Sequence, residues 1–254
     1  MGVDTPKPRF SWVLEHSERG QGQSAFEILV STQPNAEEGD LWASGRVDST
    51  ESTFVDYAGK AFQSGSTYYW KVRYWDRDSR QSPFSQVARF DTGLFSREDW
   101  KGKWIGGKNE LRREFELGKK AIRARAYVCG LGYSELRLNG HKVGRNVLDP
   151  AWTTYDKRAL YVTYDVTGYL QPGRNAVAVM LGQGWFKANA LIVQINIELE
   201  GGEKIEVLSD SSWKGTEGPV VTSSVYNGEN YDARLETPGW DRPGYDDVRW
   251  SAAE

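Results

Sequence analysis

The stretch AIRARAYVCGLGYSELRLNGHKVG, residues 121–144, decides the fold class. Side chains along its first half alternate with the period of two that is typical of a β-strand. We expect one face of this strand to carry Ile122, Ala124, Ala126 and Val128, and the other to carry Arg123, Arg125 and Tyr127. Leu136 and Leu138 then point inward on a second strand, which ends at the favoured hairpin turn Asn139-Gly140. The stretch therefore predicts paired antiparallel strands.

The pattern continues through the rest of the C-terminal part. ALYVTYDVT (159–167) and LIVQINIEL (191–199) alternate, whereas NAVAVMLG (175–182) is almost wholly apolar, as in a central strand. Gly201-Gly202 turns the chain into EKIEVLSD (203–210). About eight antiparallel strands in this length favour a jelly-roll, galactose-binding-like sandwich over residues 96–254.

The N-terminal part also predicts short strands separated by turns. A candidate first strand covers residues 10–14, and AFEILVST (25–32) alternates Phe26, Ile28 and Val30 with the residues between them. STYYWKVRYWD (66–76) alternates as well, and a polar turn then leads into a returning strand over 87–90. This spacing favours an immunoglobulin or fibronectin type III-like sandwich over residues 1–95. Residues 91–104 lack alternation and are predicted to be the linker.

Composition restricts the function. Aromatic residues make up 13%, with 11 Trp and 13 Tyr, which suits both β-sandwich cores and stacking on sugar rings. A net charge of -3 argues against nucleic-acid binding. A single cysteine, Cys129, excludes an internal disulfide, and two histidines, His16 and His141, argue against imidazole catalysis and a multi-histidine metal site. No signal peptide and no apolar run of about 18 residues is found, so no membrane span is predicted.

Three kinds of function stay open for the loops between the strands. Paired carboxylates such as Glu229 and Asp232 could act as the acid and base of a glycosidase, but loop acids with Arg234, Arg242 and Arg249 nearby more often bond to them and to backbone amides. Loop aromatics with polar neighbours could instead bind a sugar. They could equally dock another domain. The predicted carbohydrate-binding residues are Asn146, Asp149, Trp152, Tyr155, Trp185, Glu229, Asp232, Arg234 and Trp240.

Several segments, in order, resemble the N-terminal half of bacterial α-L-rhamnosidases, which are glycoside hydrolases. They are GVDTPKPRFSW (2–12), YYWKVRYWD (68–76), YVCGLGYSELRLNGHKVGRNVLDPAWTTYDKR (127–158), LYVTYDVT (160–167) and SDSSWKGTEGPVVTSSVYNGENYDARLE (209–236), continuing through TPGWD (237–241). The resemblance implies a fibronectin-like domain followed by a jelly roll. It also implies that the catalytic acids lie on an (α/α)6 barrel beyond YDDVRWSAAE (245–254), so that this chain alone is not catalytic.

The resemblance further implies a function and a possible cofactor. The fragment is expected to recognise rhamnose-containing glycans or to support the missing barrel; the alternative is a purely structural or docking role. In some relatives the jelly roll resembles a rhamnose-binding module that uses calcium. Arg145 stands where many relatives have Asp, and the loop after Phe186 is short, so calcium is less expected here. A bacterial source is implied, while the compartment, cytoplasmic or exported, is left open.

Overall fold

A computed structural model describes residues 2–186 and 189–254 of the chain. The chain divides in sequence between Asp99 and Trp100 into two compact units. Both units are built of β-strands, as the sequence predicts. The helical segments in the described residues are short 3₁₀ turns at Arg97–Asp99, Thr167–Tyr169 and Ala233–Leu235. Within the same described residues, no helix is long and apolar enough to cross a membrane.

The first unit is an antiparallel β-structure around an aromatic core. Its described strands are β1 (Arg9–Phe10), β2 (Gln23–Ser31), β3 (Trp42–Ala43), β4 (Val47–Asp48), β5 (Val55–Asp56), β6 (Thr67–Asp76) and β7 (Ala88–Asp91). One sheet has the order β3-β2-β6-β7, with β4 also on β2, and β1 pairs with β5. Phe26, Ile28 and Val30 of β2 pack with Phe10 of β1 because alternation places them on one face. The expected strand over residues 10–14 is wrong beyond Phe10.

The second unit contains two larger sheets and one hairpin. Its described strands are β8 (Ile105–Gly106), β9 (Glu110–Leu117), β10 (Ala121–Leu131), β11 (Tyr133–Leu138), β12 (His141–Lys142), β13 (Val162–Asp165), β14 (Gly173–Gly182), β15 (Ala190–Leu199), β16 (Lys204–Leu208), β17 (Lys214–Thr216), β18 (Val220–Ser224), β19 (Gly228–Tyr231) and β20 (Ser251–Ala252). One sheet has the order β13-β10-β15-β16, with β8 on β15. The other has the order β12-β11-β14-β9-β17-β20, and β18 pairs with β19.

The two larger sheets of the second unit share one apolar core. Ala126 and Val193 from the first sheet and Leu136 and Val179 from the second belong to the same buried cluster, which also contains Trp213. Strands β14 and β15, whose residues are buried over most of their length, each have neighbours on both sides. Burial of both faces explains why alternation is weak along β14. The unit is therefore a sandwich of two antiparallel sheets.

The stretch 121–144 forms the expected strands with one difference. A β-bulge between Ala121 and Arg123 shifts the register of β10 against β15. Ala121 is therefore buried and Ile122 is exposed, so the prediction that Ile122 shares a face with Ala124, Ala126 and Val128 is wrong. The predicted turn is confirmed: Asn139 and Gly140 have φ angles of 52° and 86°, the sign that a type I′ turn requires at both positions.

A buried arginine fastens the C-terminal segment to the second sheet. Arg112 lies on β9 with a fully buried side chain. Its Nε donates to the carbonyl of Trp240 at 2.8 Å, and its Nη2 donates to the carbonyl of Arg242 at 3.1 Å. It also pairs with the carboxylates of Glu114, at 2.6 Å, and of Asp247. These four partners satisfy the buried guanidinium and hold residues 240–247 against β9.

Replacing Arg112 with Met should destabilise the protein by about 3–5 kcal/mol, because two carboxylates and two carbonyls would lose their hydrogen bonds to the buried guanidinium. Urea unfolding followed by tryptophan fluorescence measures this loss. The matched control is Arg174→Met: Arg174 is exposed and lies 3.8 Å from exposed Glu116. That change should cost less than about 0.5 kcal/mol. Equal, small effects of the two substitutions would contradict the anchoring role of Arg112.

Cys129 should be inert in the folded protein. Burial raises the pKa of its thiol to about 12, and the thiolate is the form that reacts with alkylating agents. At pH 8 we expect iodoacetamide to modify native Cys129 about a thousandfold more slowly than the urea-unfolded chain. Mass spectrometry of timed samples gives both rates. Comparable rates in the native and unfolded protein would show that the thiol is accessible.

Candidate functional site

A groove of about 540 Å³ lies at one end of the second unit. Strands β11 and β14 contribute Tyr133, Ser134 and Met180 to its lining. The loop after β12 contributes residues 146–148, and the hairpin formed by β18 and β19 contributes residues from Val220 to Glu229. Two of the predicted site residues, Asn146 and Glu229, therefore line one groove although they are far apart in sequence.

The loop that follows β12 is fixed by two other predicted residues. Ser134 N donates to the carbonyl of Asp149 at 2.7 Å, and Tyr164 Oη donates to its carboxylate at 3.2 Å. Gly132 N donates to Tyr155 Oη at 2.9 Å. Burial and the adjacent Asp149 carboxylate raise the pKa of Tyr164, so this phenol keeps its proton and remains a donor. Asp149 and Tyr155 thus position the loop beside the groove.

Exposed aromatic rings border the groove. Trp152 and Trp185 stack with ring centroids 5.3 Å apart and an interplanar angle of 23°. Tyr226 meets Trp185 edge-on at 4.4 Å. Trp152 is 55% exposed and Trp185 is 42% exposed. We call Trp152, Trp185 and Tyr226 the aromatic platform; it adjoins the groove because Gly184 and Val225, which line the groove, directly precede two of its members.

The polar groups of the groove include one ion-paired set and one solvent-exposed carboxylate. Glu135 accepts from Arg137 at 2.9 Å and pairs with Lys142 at 2.7 Å. Glu229 lies on the exposed edge of the hairpin. Val147 and Leu148 add apolar surface to the lining of the groove. The groove thus offers apolar contact together with carboxylate, ammonium and amide groups that can hydrogen-bond.

Besides the predicted residues of the adjoining loop and platform, three more lie outside the lining of this groove: Asp232, Arg234 and Trp240. The Asp232 carboxylate accepts two hydrogen bonds from the Arg234 guanidinium, at 2.8 and 2.6 Å, and these bonds lower the pKa of that carboxyl. The pair bonds internally, as expected for loop acids beside arginines. Trp240 is only 8% exposed and packs against Trp250 with centroids 6.0 Å apart. The structure therefore does not present Trp240 to a ligand, because its ring is covered.

Tyr226 is absent from the predicted set although the structure places it on the aromatic platform. Its position just before Asn227-Gly228, a turn between polar strands, is the signal in the sequence that indicates exposure. The prediction about a short loop after Phe186 concerns Lys187 and Ala188, which lie outside the described residues.

A calcium site does not fit the groups near the groove. Among residues 2–186 and 189–254, no three His, Cys, Asp or Glu side chains converge to hold a metal ion. Asp149 is held by Tyr164, and Glu135 is paired with two cations. Calcium requires about six to eight oxygen ligands, and these two carboxylates, already engaged with other groups, do not supply them.

Comparison with known proteins places both units in one family. Residues 1–96 match the family described as Rha78A-like, N-terminal immunoglobulin domain, and residues 119–254 match the family described as Alpha-L-rhamnosidase N-terminal domain. The chain is 34% identical to an α-L-rhamnosidase of Formosa agariphila, over 100% of this chain and 32% of that protein.

Solved structures give the same result. An α-L-rhamnosidase structure from Dictyoglumus thermophilum superposes with a TM-score of 0.95 at 39% identity, covering 99% of this chain and 32% of that one. A Streptomyces avermitilis α-L-rhamnosidase complexed with L-rhamnose has a TM-score of 0.94 at 24% identity, covering 100% and 43%, and shows the fold. The chain thus spans about a third of the length of the curated relatives it matches first. It belongs to the α-L-rhamnosidase family, and it corresponds to the N-terminal region of these proteins.

Proposed function

We propose that this chain is a non-catalytic N-terminal part of an α-L-rhamnosidase and that its groove recognises a rhamnose-containing carbohydrate. The observation that carries the proposal is the exposed aromatic platform beside a groove that also contains polar groups. Sugar rings present flat C–H faces that stack on indoles, and their hydroxyls need nearby donors and acceptors. The platform and the groove meet these two needs side by side.

The groove supplies the polar contacts that a sugar requires. Lys142 can donate, Glu229 can accept, and the amide of Asn146 can do both. The platform is firmly positioned: Tyr155 fixes the loop that carries Trp152, and a hydrogen bond of 3.2 Å joins Val225 N to the carbonyl of Gly184, next to Trp185. A preorganised site loses less conformational entropy when the sugar binds.

Hydrolysis is assigned to other parts of the parent protein. Cleavage of a glycosidic bond needs one carboxyl as acid and a second as base or nucleophile. Glu135, in the groove, is held between two cations, and Asp232 is held by Arg234 outside it. Both carboxylates are therefore engaged in ion pairs, which suits structural roles.

A second candidate function is docking of another part of the parent protein. It is supported by the apolar side chains Val147 and Leu148, which are exposed and line the groove beside the platform. In that case Trp152 and Trp185 contact protein instead of sugar. The two candidates differ in what the isolated chain does, since only the first requires it to bind a sugar.

Titration calorimetry of this chain with L-rhamnose and with a nitrophenyl α-L-rhamnoside tests the proposal. We expect saturable heat with the wild-type chain and a loss of affinity of at least about tenfold, equal to 1.4 kcal/mol, for Trp185→Ala. The matched control is Trp104→Ala, because Trp104 is similarly exposed, at 48%, and does not line the groove. This control should bind like the wild type.

Two results would count against carbohydrate recognition. The first is the absence of binding heat at millimolar sugar. The second is an equal effect of the Trp185 and Trp104 substitutions on affinity. Docking would then be tested in the full-length parent, where Trp185→Ala should lower the melting temperature more than Trp104→Ala does. Release of nitrophenol by the isolated chain would contradict its non-catalytic assignment.

A further inference from the structure

The hairpin that lines the groove is fastened at its base by Asn109, just before β9. The Asn109 side chain donates to the carbonyl of Val220 at 2.6 Å and accepts from Gly218 N. Its own carbonyl accepts from Leu181 N at 2.7 Å, next to the groove. Asn109 therefore ties the start of the hairpin, at Gly218 and Val220, to strands β9 and β14 of the sandwich.

Glu110, the next residue, lies between the two ends of the segment that contains the hairpin. Where the chain enters the segment, the backbone of Gly218 packs closely against the carboxyl group of Glu110. A Cβ atom on residue 218 would lie only 2.5 Å from Glu110 Cδ. On the returning side, Thr237 Oγ1 donates to Glu110 Oε2 at 3.2 Å. Glu110 is buried, with 2% exposure, so its carboxyl contacts both ends of the segment away from solvent.

We propose that Glu110 is a proton-dependent switch for the hairpin of residues 220–231, which packs on the groove while the Glu110 carboxyl is protonated and loosens when that carboxyl ionises. The inference concerns the regulation of the groove to which the proposed function assigns carbohydrate binding, and its value for the parent protein rests on that assignment. The movement of the hairpin itself does not depend on any ligand.

The surroundings of Glu110 favour the protonated form. Burial is the largest cause, and together with the Asp241 carboxylate it raises the pKa of Glu110 to about 7 against the opposing effects of Thr237 and Arg137. Arg137 is itself bonded to Asp241 at 2.6 Å. The flanking segments carry other charged or titratable groups: Lys108 pairs with Glu217, Lys214 pairs with Asp247, Tyr231 donates to Glu236, and Glu229 lies exposed on the hairpin.

The sign of the effect follows from this raised pKa. An opened hairpin exposes Glu110 to water, where its pKa returns toward 4.5, so the closed form binds more protons between these values. Closure is therefore strongest below pH 4.5, weakens as pH rises from 4.5 to about 7, and is weakest above that. Between pH 5.5 and 8.5, linkage gives a change in the opening equilibrium of about ten- to thirtyfold.

Amide hydrogen exchange of the 254-residue chain at pH 5.5 and pH 8.5, corrected for intrinsic exchange rates, tests the switch. We expect protection of residues 220–231 to fall about ten- to thirtyfold at the higher pH, while protection of the core strand β15 changes much less. Glu110→Gln should keep hairpin protection nearly equal at both pH values. Thr237→Val removes a hydrogen bond that favours the carboxylate and should move the midpoint to higher pH.

The matched control is Glu236→Gln, since Glu236 lies on the same segment but is exposed and bonds Tyr231. This variant should retain the pH dependence of the wild type. Equal wild-type hairpin protection at both pH values would overturn the proposal, as would an unchanged pH dependence in Glu110→Gln. Because the readout needs no sugar, a failure of carbohydrate binding leaves this test intact, and a failure here leaves the binding test intact.

Discussion

The buried guanidinium of Arg112 is the constraint on which the C-terminal end of the second unit depends. A cation without access to water is tolerated only when its hydrogen bonds are satisfied, and here two carbonyls and two carboxylates satisfy them. The segment 240–247 depends on Arg112 in turn, because it has little regular structure of its own to hold it in place. The hydrogen bonds of Arg112 hold this segment against the sheet, as strand pairing holds the other parts of the chain. Asp241 extends the anchor to Arg137 and, through its carbonyl, to Gly140 N.

The strands were largely predictable because alternation is a local property of the sequence. Side chains of β2, β11 and β15 face the core as their period of two indicates. Ile122 was not predictable in this way, since the bulge that exposes it arises where β10 pairs with β15, distant in sequence. The short β1 has a similar cause: its partner β5 contains only two paired residues, so pairing stops at Phe10 whatever the apolar pattern that follows.

The candidate site was less predictable, because it is assembled from loops. The sequence indicated that Trp152 and Trp185 lie in loops, but not that their rings stack. It gave equal weight to Trp240, whose burial depends on Trp250 and on the contact of its carbonyl with Arg112. Residue type and turn signals thus identify candidates, whereas long-range packing decides which rings face solvent.

One strand, β9, connects these observations. Its first residue, Glu110, contacts both ends of the hairpin segment, and Arg112, two positions along on the same face, holds the segment 240–247. Asp241 belongs to that segment and also raises the pKa of Glu110, so the anchor and the hairpin share an electrostatic environment. A change that moves Asp241 away from Glu110 would lower the pKa of Glu110, and hairpin closure would then be lost at lower pH. The start of β9 therefore couples the hairpin that lines the groove to the segment 240–247.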